Sequence, residues 1–188
     1  MLILASQSPR RRELLMRFNY QFQSVSSQVD ESLVEKTSPH SFVETLAYTK
    51  AHAVFKKYPK DVVIAADTIV FMNQTFYEKP KDREDAIQIL TQLSGKTHQV
   101  YTGVCILSPN SKEIFHTVVY VTFHQLTKEM ITEYIDTYRP YDKAGAYGIQ
   151  EQQGSIVKSY EGDYLTIVGF PMTTIKPKLD TILKKKND

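Results

Sequence analysis

The chain has a single cysteine and no apolar run that approaches the roughly 20 residues of a membrane span. With Cys105 alone, an intrachain disulfide and a zinc cluster built on cysteines are both excluded. The N-terminal apolar stretch, Leu2 to Ala5, is too short for the core of a signal peptide. We therefore expect a cytoplasmic protein.

The chain also lacks a strong excess of charge of either sign. Its 23 Lys and Arg residues against 21 Asp and Glu residues give a formal net charge of +2. No global field attracts nucleic acid or a membrane, so we expect neither as a partner, and any anion site must be local. A generic RNA-binding domain is further disfavoured because no motif of interleaved aromatic and basic residues occurs.

The composition is that of an ordinary globular protein, with 41% hydrophobic and 23% charged residues in 188. We predict a single domain over residues 1–188. Helical patterns alternate with strands joined by both crossovers and hairpins, which indicates an α/β fold with a mixed central sheet flanked by helices. Two lobes around a cleft are compatible with this length.

Capping residues and apolar periodicity predict the individual elements. Helices are predicted from Ser8 to about Phe18, from Ser38, from Asp82 to Gly95, and from Thr127 to Tyr138. Strands are predicted at Leu2–Ala5, Val62–Met72, Thr75–Tyr77, about 98–107 and about 113–123. A last hairpin is predicted near Gly162 and Asp163, and the C-terminal helix is predicted to begin at Pro177, because proline fits a first turn better than a helix interior.

The first helix opens on three cations, Arg10, Arg11 and Arg12, where its free amides and dipole already create positive potential. An anion at this end would remove the cost of placing them there, and the hydroxyls of Ser6 and Ser8 would complete a phosphate cradle. The alternative is a solvated basic helix start with Glu13 as a neighbouring counter-charge.

Lys50 and Asp67 are charged residues at positions where apolar residues are expected. Lys50 follows Leu46 by four residues on the stripe that should face the core, so it either meets an anion or extends to the surface. Asp67 stands between apolar residues in a predicted central strand. A buried carboxylate there must bind a cation, accept hydrogen bonds as a structural core residue, or act as a base.

Further charged residues extend this set. Asp30 and Glu31 form an acidic pair in a polar segment, and Lys79 follows the short hairpin strand. Together with Asp67 they offer carboxylate oxygens for a hard divalent metal and cations for phosphate charge.

Several motifs in order resemble the Maf family of nucleotide pyrophosphatases over nearly the whole chain. They are Leu4–Arg11, Asp30–Glu31, Lys50–Ala51, Ala66–Thr68, Lys79–Pro80, Ser94–Gly95 with His98, Thr102–Gly103, Asp142–Gln150 and Val168–Pro171. The resemblance implies a Maf/inosine-triphosphatase-like fold, a homodimer, and metal-assisted hydrolysis of a nucleoside triphosphate to the monophosphate and pyrophosphate.

The resemblance also implies roles for single residues. Asp67 would be the proton acceptor, Glu31 would help to hold metal or water, and phosphate would be bound by Ser8, Arg11, Lys50 and Lys79. Asp67 as a ligand of Mg²⁺ or Mn²⁺ is equally permitted by the chemistry.

Three positions discriminate between branches of the family. The dTTP/UTP branch carries Arg, Thr and Gln, matched here by Arg10, Thr68 and Gln150. The 7-methyl-GTP branch carries Trp, Gln and Glu instead, so it is disfavoured. A glutamine amide offers a donor and an acceptor to a pyrimidine edge, whereas a glutamate suits a cationic methylated purine. The alternative function is that of a nucleotide-binding regulator of cell division or septum formation with little turnover.

Overall fold

The computed structural model describes residues 1–151 and 156–187. Within these residues the strands are β1 (Leu2–Leu4), β2 (Gln23–Ser24), β3 (Val62–Met72), β4 (Thr75–Tyr77), β5 (Thr97–Ser108), β6 (Ser111–Phe123) and β7 (Val157–Glu161). The α-helices are α1 (Pro9–Arg17), α2 (Pro39–Phe55), α3 (Arg83–Leu93), α4 (Lys128–Tyr138), α5 (Tyr164–Val168) and α6 (Met172–Asn187). Two 3-10 segments lie at Glu31–Leu33 and Ala144–Ala146.

The strands form one sheet in the order β2-β1-β3-β5-β6-β7, with β4 paired to β3. Strand β1 is parallel to both β2 and β3, whereas β3 with β4 and β6 with β7 are antiparallel. The predicted α/β fold with a mixed sheet is thereby confirmed. None of the helices in the described ranges is long and apolar enough to span a bilayer.

The chain divides into two compact units. The first contains Met1–Asp67, Thr102–Thr117 and the segment from Gly169 onward, and the second contains Thr68–Tyr101 and Val118–Val168. The boundary on β3 falls between Asp67 and Thr68. The single domain over residues 1–188 and the cleft stay predictions.

In the first unit, helix α2 covers the sheet with its predicted apolar stripe. Val43, Leu46, Ala47 and Val54 are all buried, and the core that they join includes Cys105. The helix lies close to β5 at Gly103, where an added Cβ would come 2.4 Å from the carbonyl carbon of Val43. This close packing fixes the height of α2 above the sheet and so fixes where Lys50 points.

In the second unit, helices α3 and α4 cover one face of the sheet. The buried residues of this core include Val70, Val100, Val121, Leu90 and Ile135. His98 projects into the same core from β5 and stacks edge-on against Phe123 and Tyr147. Most predicted elements are confirmed, including the β3–β4 hairpin, whose turn residues Asn73 and Gln74 have positive φ.

Two predictions near the C-terminus are wrong. The residues after Gly162 form helix α5, so β7 has no hairpin partner there; the Asp163 carboxylate accepts from the Leu165 amide and begins the helix. Helix α6 begins at Met172 and contains Pro177. Met172, Ile175 and Leu179 are fully buried on both sides of this proline. Their burial therefore holds the helix together despite the missing backbone donor.

Candidate active site

The connection from β1 to α1 forms the first wall of the candidate site. Ser8 is the N-cap residue, but its side chain makes no capping hydrogen bond, and the first turn contains no acidic residue. The Ser8 hydroxyl therefore does not cap the helix end at which the three arginines begin. A helix start with arginines and no acidic residue in its first turn is suited to binding an anion.

Arg11 is held by two fixed acceptors. Its Nε donates to the Gly169 carbonyl at 2.9 Å, and its Nη1 donates to the Ser6 hydroxyl at 3.3 Å. The Ser6 hydroxyl also accepts from the Ser8 amide at 3.1 Å. Burial lowers the pKa of the Arg11 guanidinium, and the charge of Asp67 partly offsets this effect. The side chain is therefore a preorganised cation rather than a solvated one.

Lys50 and Asp67 meet inside the first unit. Lys50 Nζ lies 2.5 Å from Asp67 Oδ1 and 2.9 Å from Glu31 Oε1. The side chains of Lys50 and Asp67 are 10% and 12% exposed, whereas that of Glu31 is 48% exposed. The prediction that Lys50 faces inward is confirmed, and extension to the surface is wrong. One ammonium group thus joins two carboxylates from different segments.

The geometry explains how Asp67 is tolerated in a central strand. An isolated ionised carboxylate would lose several kcal/mol of hydration there, and Lys50 supplies the compensating charge. Parallel strands β1 and β3 are in register at Leu4 and Ile64, so Asp67 lies just beyond the end of β1, where the chain enters the Ser6–Ser8 loop. Asp67 itself lies inside β3, at a level where the shorter strand β1 has already ended.

Asp30 and Glu31, predicted as one acidic pair, have different surroundings. Asp30 Oδ1 accepts from the Ser32 amide at 3.0 Å and from its hydroxyl at 2.6 Å. These bonds lower the pKa of the Asp30 carboxyl. Asp30 therefore caps the 3-10 turn that presents Glu31 to Lys50.

The carboxylates of Glu31 and Asp67 are compatible with a divalent cation. Mg²⁺ is commonly bound by one or two carboxylates together with waters and substrate phosphates. No group of three or more His, Cys, Asp or Glu side chains suited to a metal occurs within residues 1–151 and 156–187. The protein therefore offers two carboxylates to a metal, and the Lys50 ammonium lies against both of them.

The other predicted site residues are distributed over both units. Arg10 is half-buried in the first turn of α1, and Thr68 is half-buried directly after Asp67 in β3. Lys79 is exposed after β4, and Gln150 is exposed in a turn of the second unit. The contacts of the first unit bring together Glu31, Lys50 and Asp67, and the charges of both carboxylates also act on Arg11.

Two groups of contacts were missed at the sequence level. The Gly169 carbonyl anchors Arg11, and the only sequence signal for it is that Gly169 lies in the motif Val168–Pro171. In the second unit, Tyr134 Oη accepts from the Gly148 amide at 3.0 Å and donates to the Glu151 carboxylate. The sequence pattern places Tyr134 only within the predicted helix from Thr127 to Tyr138.

Comparison with known proteins identifies relatives that match most of the chain. A family model described as Maf-like protein matches residues 1–182. A dTTP/UTP pyrophosphatase from a Geobacillus species is 49% identical over 172 residues, which cover 92% of each chain. Another, from Acholeplasma laidlawii, is 46% identical over 180 residues, which cover 95% of each chain. The structure of the Staphylococcus aureus Ham1 protein shares the fold, with a TM-score of 0.54 and 18% identity over 98% of both chains.

Proposed function

This chain belongs to the Maf family, and we propose that it hydrolyses dTTP and UTP to the nucleoside monophosphate and pyrophosphate. Relatives that cover nearly its whole length carry the name of this activity. The observation that carries the proposal is the cluster in which the Lys50 ammonium joins Glu31 and Asp67. The charges of both carboxylates also act on the Arg11 guanidinium and raise its pKa against the effect of burial.

Asp67 is the proposed proton acceptor for the attacking water. Its carboxylate is held at Oδ1 by Lys50, so its orientation is set before substrate arrives. Glu31 is more exposed and is the proposed partner that holds water or metal beside it. A Mg²⁺ or Mn²⁺ ion held by Glu31 and Asp67 would neutralise phosphate charge and polarise the α-phosphorus.

The cations and the open helix start are the proposed phosphate site. Arg11 and Lys50 supply fixed positive charge, and Ser8 supplies a hydroxyl that is not used for capping. Lys79 is exposed after β4 and is the fourth proposed phosphate ligand. These groups stabilise the charge that spreads over phosphate oxygens as the α–β bond breaks.

Arg10, Thr68 and Gln150 are the proposed determinants of pyrimidine recognition. This triplet matches the dTTP/UTP branch and differs at every position from the 7-methyl-GTP branch. An amide at residue 150 can donate to and accept from a pyrimidine edge, whereas it offers no charge to a cationic purine. The relatives' names support the same substrate class.

Product analysis with a nucleotide panel tests the proposal. Purified protein is incubated with dTTP, UTP, GTP and 7-methyl-GTP in the presence of Mg²⁺ or Mn²⁺. We expect pyrophosphate and monophosphate from dTTP and UTP. Release of orthophosphate and a diphosphate would contradict the bond assignment. Tight nucleotide binding without turnover of any of the four would instead favour a regulator of cell division or septum formation.

The remaining proposals concern assembly and location. We infer a homodimer in the cytoplasm that needs no nucleic acid or membrane. The near-neutral charge supports the absence of a polyanionic partner. Light scattering coupled to size-exclusion chromatography measures the oligomeric state directly, and a mass of one chain at micromolar concentration would contradict the dimer.

A further inference from the structure

The segment from Lys143 to Glu151 has an unusual backbone. Gly145 and Ala146 have consecutive φ values of 70° and 60°. Alanine rarely adopts this left-handed conformation, and such residues persist only when their surroundings determine them. Ala146 is fully buried. Other contacts must therefore hold this segment in place.

A half-buried ion pair joins the two ends of the segment. Lys143 Nζ lies 2.9 Å from Glu151 Oε1, and the two side chains are 15% and 16% exposed. The pair covers Gly148, where an added Cβ would come 2.9 Å from Lys143 Cε and 3.0 Å from the Glu151 carboxyl group. The segment is thus a closed loop with its own side chains packed across it.

Tyr134 on α4 fastens this loop to the rest of the unit. Its hydroxyl accepts from the Gly148 amide at 3.0 Å and donates to Glu151. Burial and the bond to Glu151 raise the pKa of this hydroxyl, so it remains a protonated donor. Next to Gly148, the Tyr147 hydroxyl lies 2.9 Å from His98 Nε2. Two neighbouring residues of the loop are therefore hydrogen-bonded to separate parts of the core.

The geometry points to Tyr134 as a positioning residue that holds Gln150, through Gly148 and Glu151, for recognition of the pyrimidine. Gln150 lies between these two anchored residues and is itself exposed. A glutamine amide discriminates between bases only if its donor and acceptor are fixed in direction, and the loop supplies this fixation. The inference rests on the proposed function, since it concerns recognition of dTTP and UTP.

A double-mutant cycle of Tyr134→Phe and Gln150→Ala tests the inference. Tyr134→Phe removes one hydroxyl and keeps the ring. We expect KM for dTTP and UTP to rise about fivefold to tenfold, as for the loss of one buried hydrogen bond, with kcat changed less than about twofold. In the Gln150→Ala background, Tyr134→Phe should have no further effect on KM. Tyr120→Phe is the control, because its hydroxyl also has a hydrogen bond, from Gln99.

The outcomes separate the two proposals. Absence of pyrophosphate release by the wild type would overturn the proposed function. With an active wild type, equal KM values for Tyr134→Phe and Tyr120→Phe, or a full Tyr134→Phe effect in the Gln150→Ala background, would overturn the inference alone. If Tyr134→Phe does not fold, Glu151→Ala takes its place in the cycle, because it removes the carboxylate that accepts from the Tyr134 hydroxyl.

Discussion

Lys50 Nζ and Asp67 Oδ1, 2.5 Å apart, join the C-terminal half of helix α2 to strand β3 inside the first unit. Neither charge is tolerable alone at such low exposure, so each explains the presence of the other. Glu31 adds a second carboxylate to the same ammonium and gives the cluster an exposed side. The pair is therefore both an element of stability and the centre of the proposed chemistry.

Asp67→Asn should abolish turnover and leave the fold intact. The substitution preserves size and an acceptor oxygen for Lys50, which also keeps its bond to Glu31, but it removes basicity. We expect pyrophosphate release from dTTP to fall by at least about 100-fold, the usual contribution of a general base. Thermal unfolding measures the fold. Asp61→Asn, which changes a carboxylate bound to the N-terminal amine, is the control and should keep full activity.

Lys50→Met should increase the affinity for Mn²⁺ in the absence of nucleotide. The ammonium now neutralises Glu31 and Asp67, and its removal leaves two carboxylates without their common counter-charge. We expect at least about tenfold tighter binding by titration calorimetry, because a repelling unit charge is lost at close range. Turnover should fall, since a proposed phosphate ligand is missing. Lys57→Met, an exposed lysine just after the same helix, should change neither quantity.

Gln150→Glu should shift the substrate preference toward 7-methyl-GTP. The new carboxylate can no longer donate to a pyrimidine edge and would attract a cationic methylated purine. We expect kcat/KM for dTTP and UTP to fall about tenfold or more, and cleavage of 7-methyl-GTP to become measurable. The control is Gln92→Glu, which adds the same charge to an exposed position of α3. Unchanged preference in both variants would refute the role of Gln150.

His98 should make the stability of the protein depend on pH. Burial lowers the pKa of its imidazole from 6.5 to about 3. Between these values the unfolded chain binds a proton that the folded chain does not. The free energy of unfolding should therefore fall as the pH drops through this window, by at most about 1.4 kcal/mol per pH unit from this group.

Chemical denaturation of the wild type and His98→Gln between pH 4 and 7 measures this contribution. The glutamine side chain of the variant stays neutral at every pH, and its amide can still form a hydrogen bond with the Tyr147 hydroxyl. We expect a shallower loss of stability for His98→Gln than for the wild type, and no such difference for His124→Gln at an exposed position. Equal slopes for wild type and His98→Gln would show that His98 protonates freely in the folded state.

Periodicity in the sequence predicts that Lys50 faces inward and that Asp67 lies in a buried strand, because each is a charge within an apolar pattern. Their contact is not predictable in the same way, since it depends on how α2 packs above β3. The close approach at Gly103 sets that packing. Local pattern therefore identifies the residues, and tertiary packing decides their partners.

Other contacts of the site join residues that are far apart in the sequence, so they cannot be predicted from local patterns. The Gly169 carbonyl that orients Arg11 lies 158 residues away in the chain, and a backbone acceptor leaves no residue-type signal. Helix α6 is the opposite case: Pro177 is a strong local signal for a helix start, but the helix begins five residues before it. The burial of Met172 and Ile175 ahead of the proline outweighs one lost hydrogen bond.

Cys105 is fully buried in the core beneath α2, so its reaction with a thiol reagent reports local unfolding of the first unit. Burial raises the pKa of this thiol to about 12, so the thiolate that a reagent attacks is scarce. Burial also keeps the reagent away from the sulfur while the first unit is folded. Because the chain has no second thiol, the rate of alkylation counts openings of this unit alone. A nucleotide that binds the closed unit will slow that rate in proportion to the stability it adds.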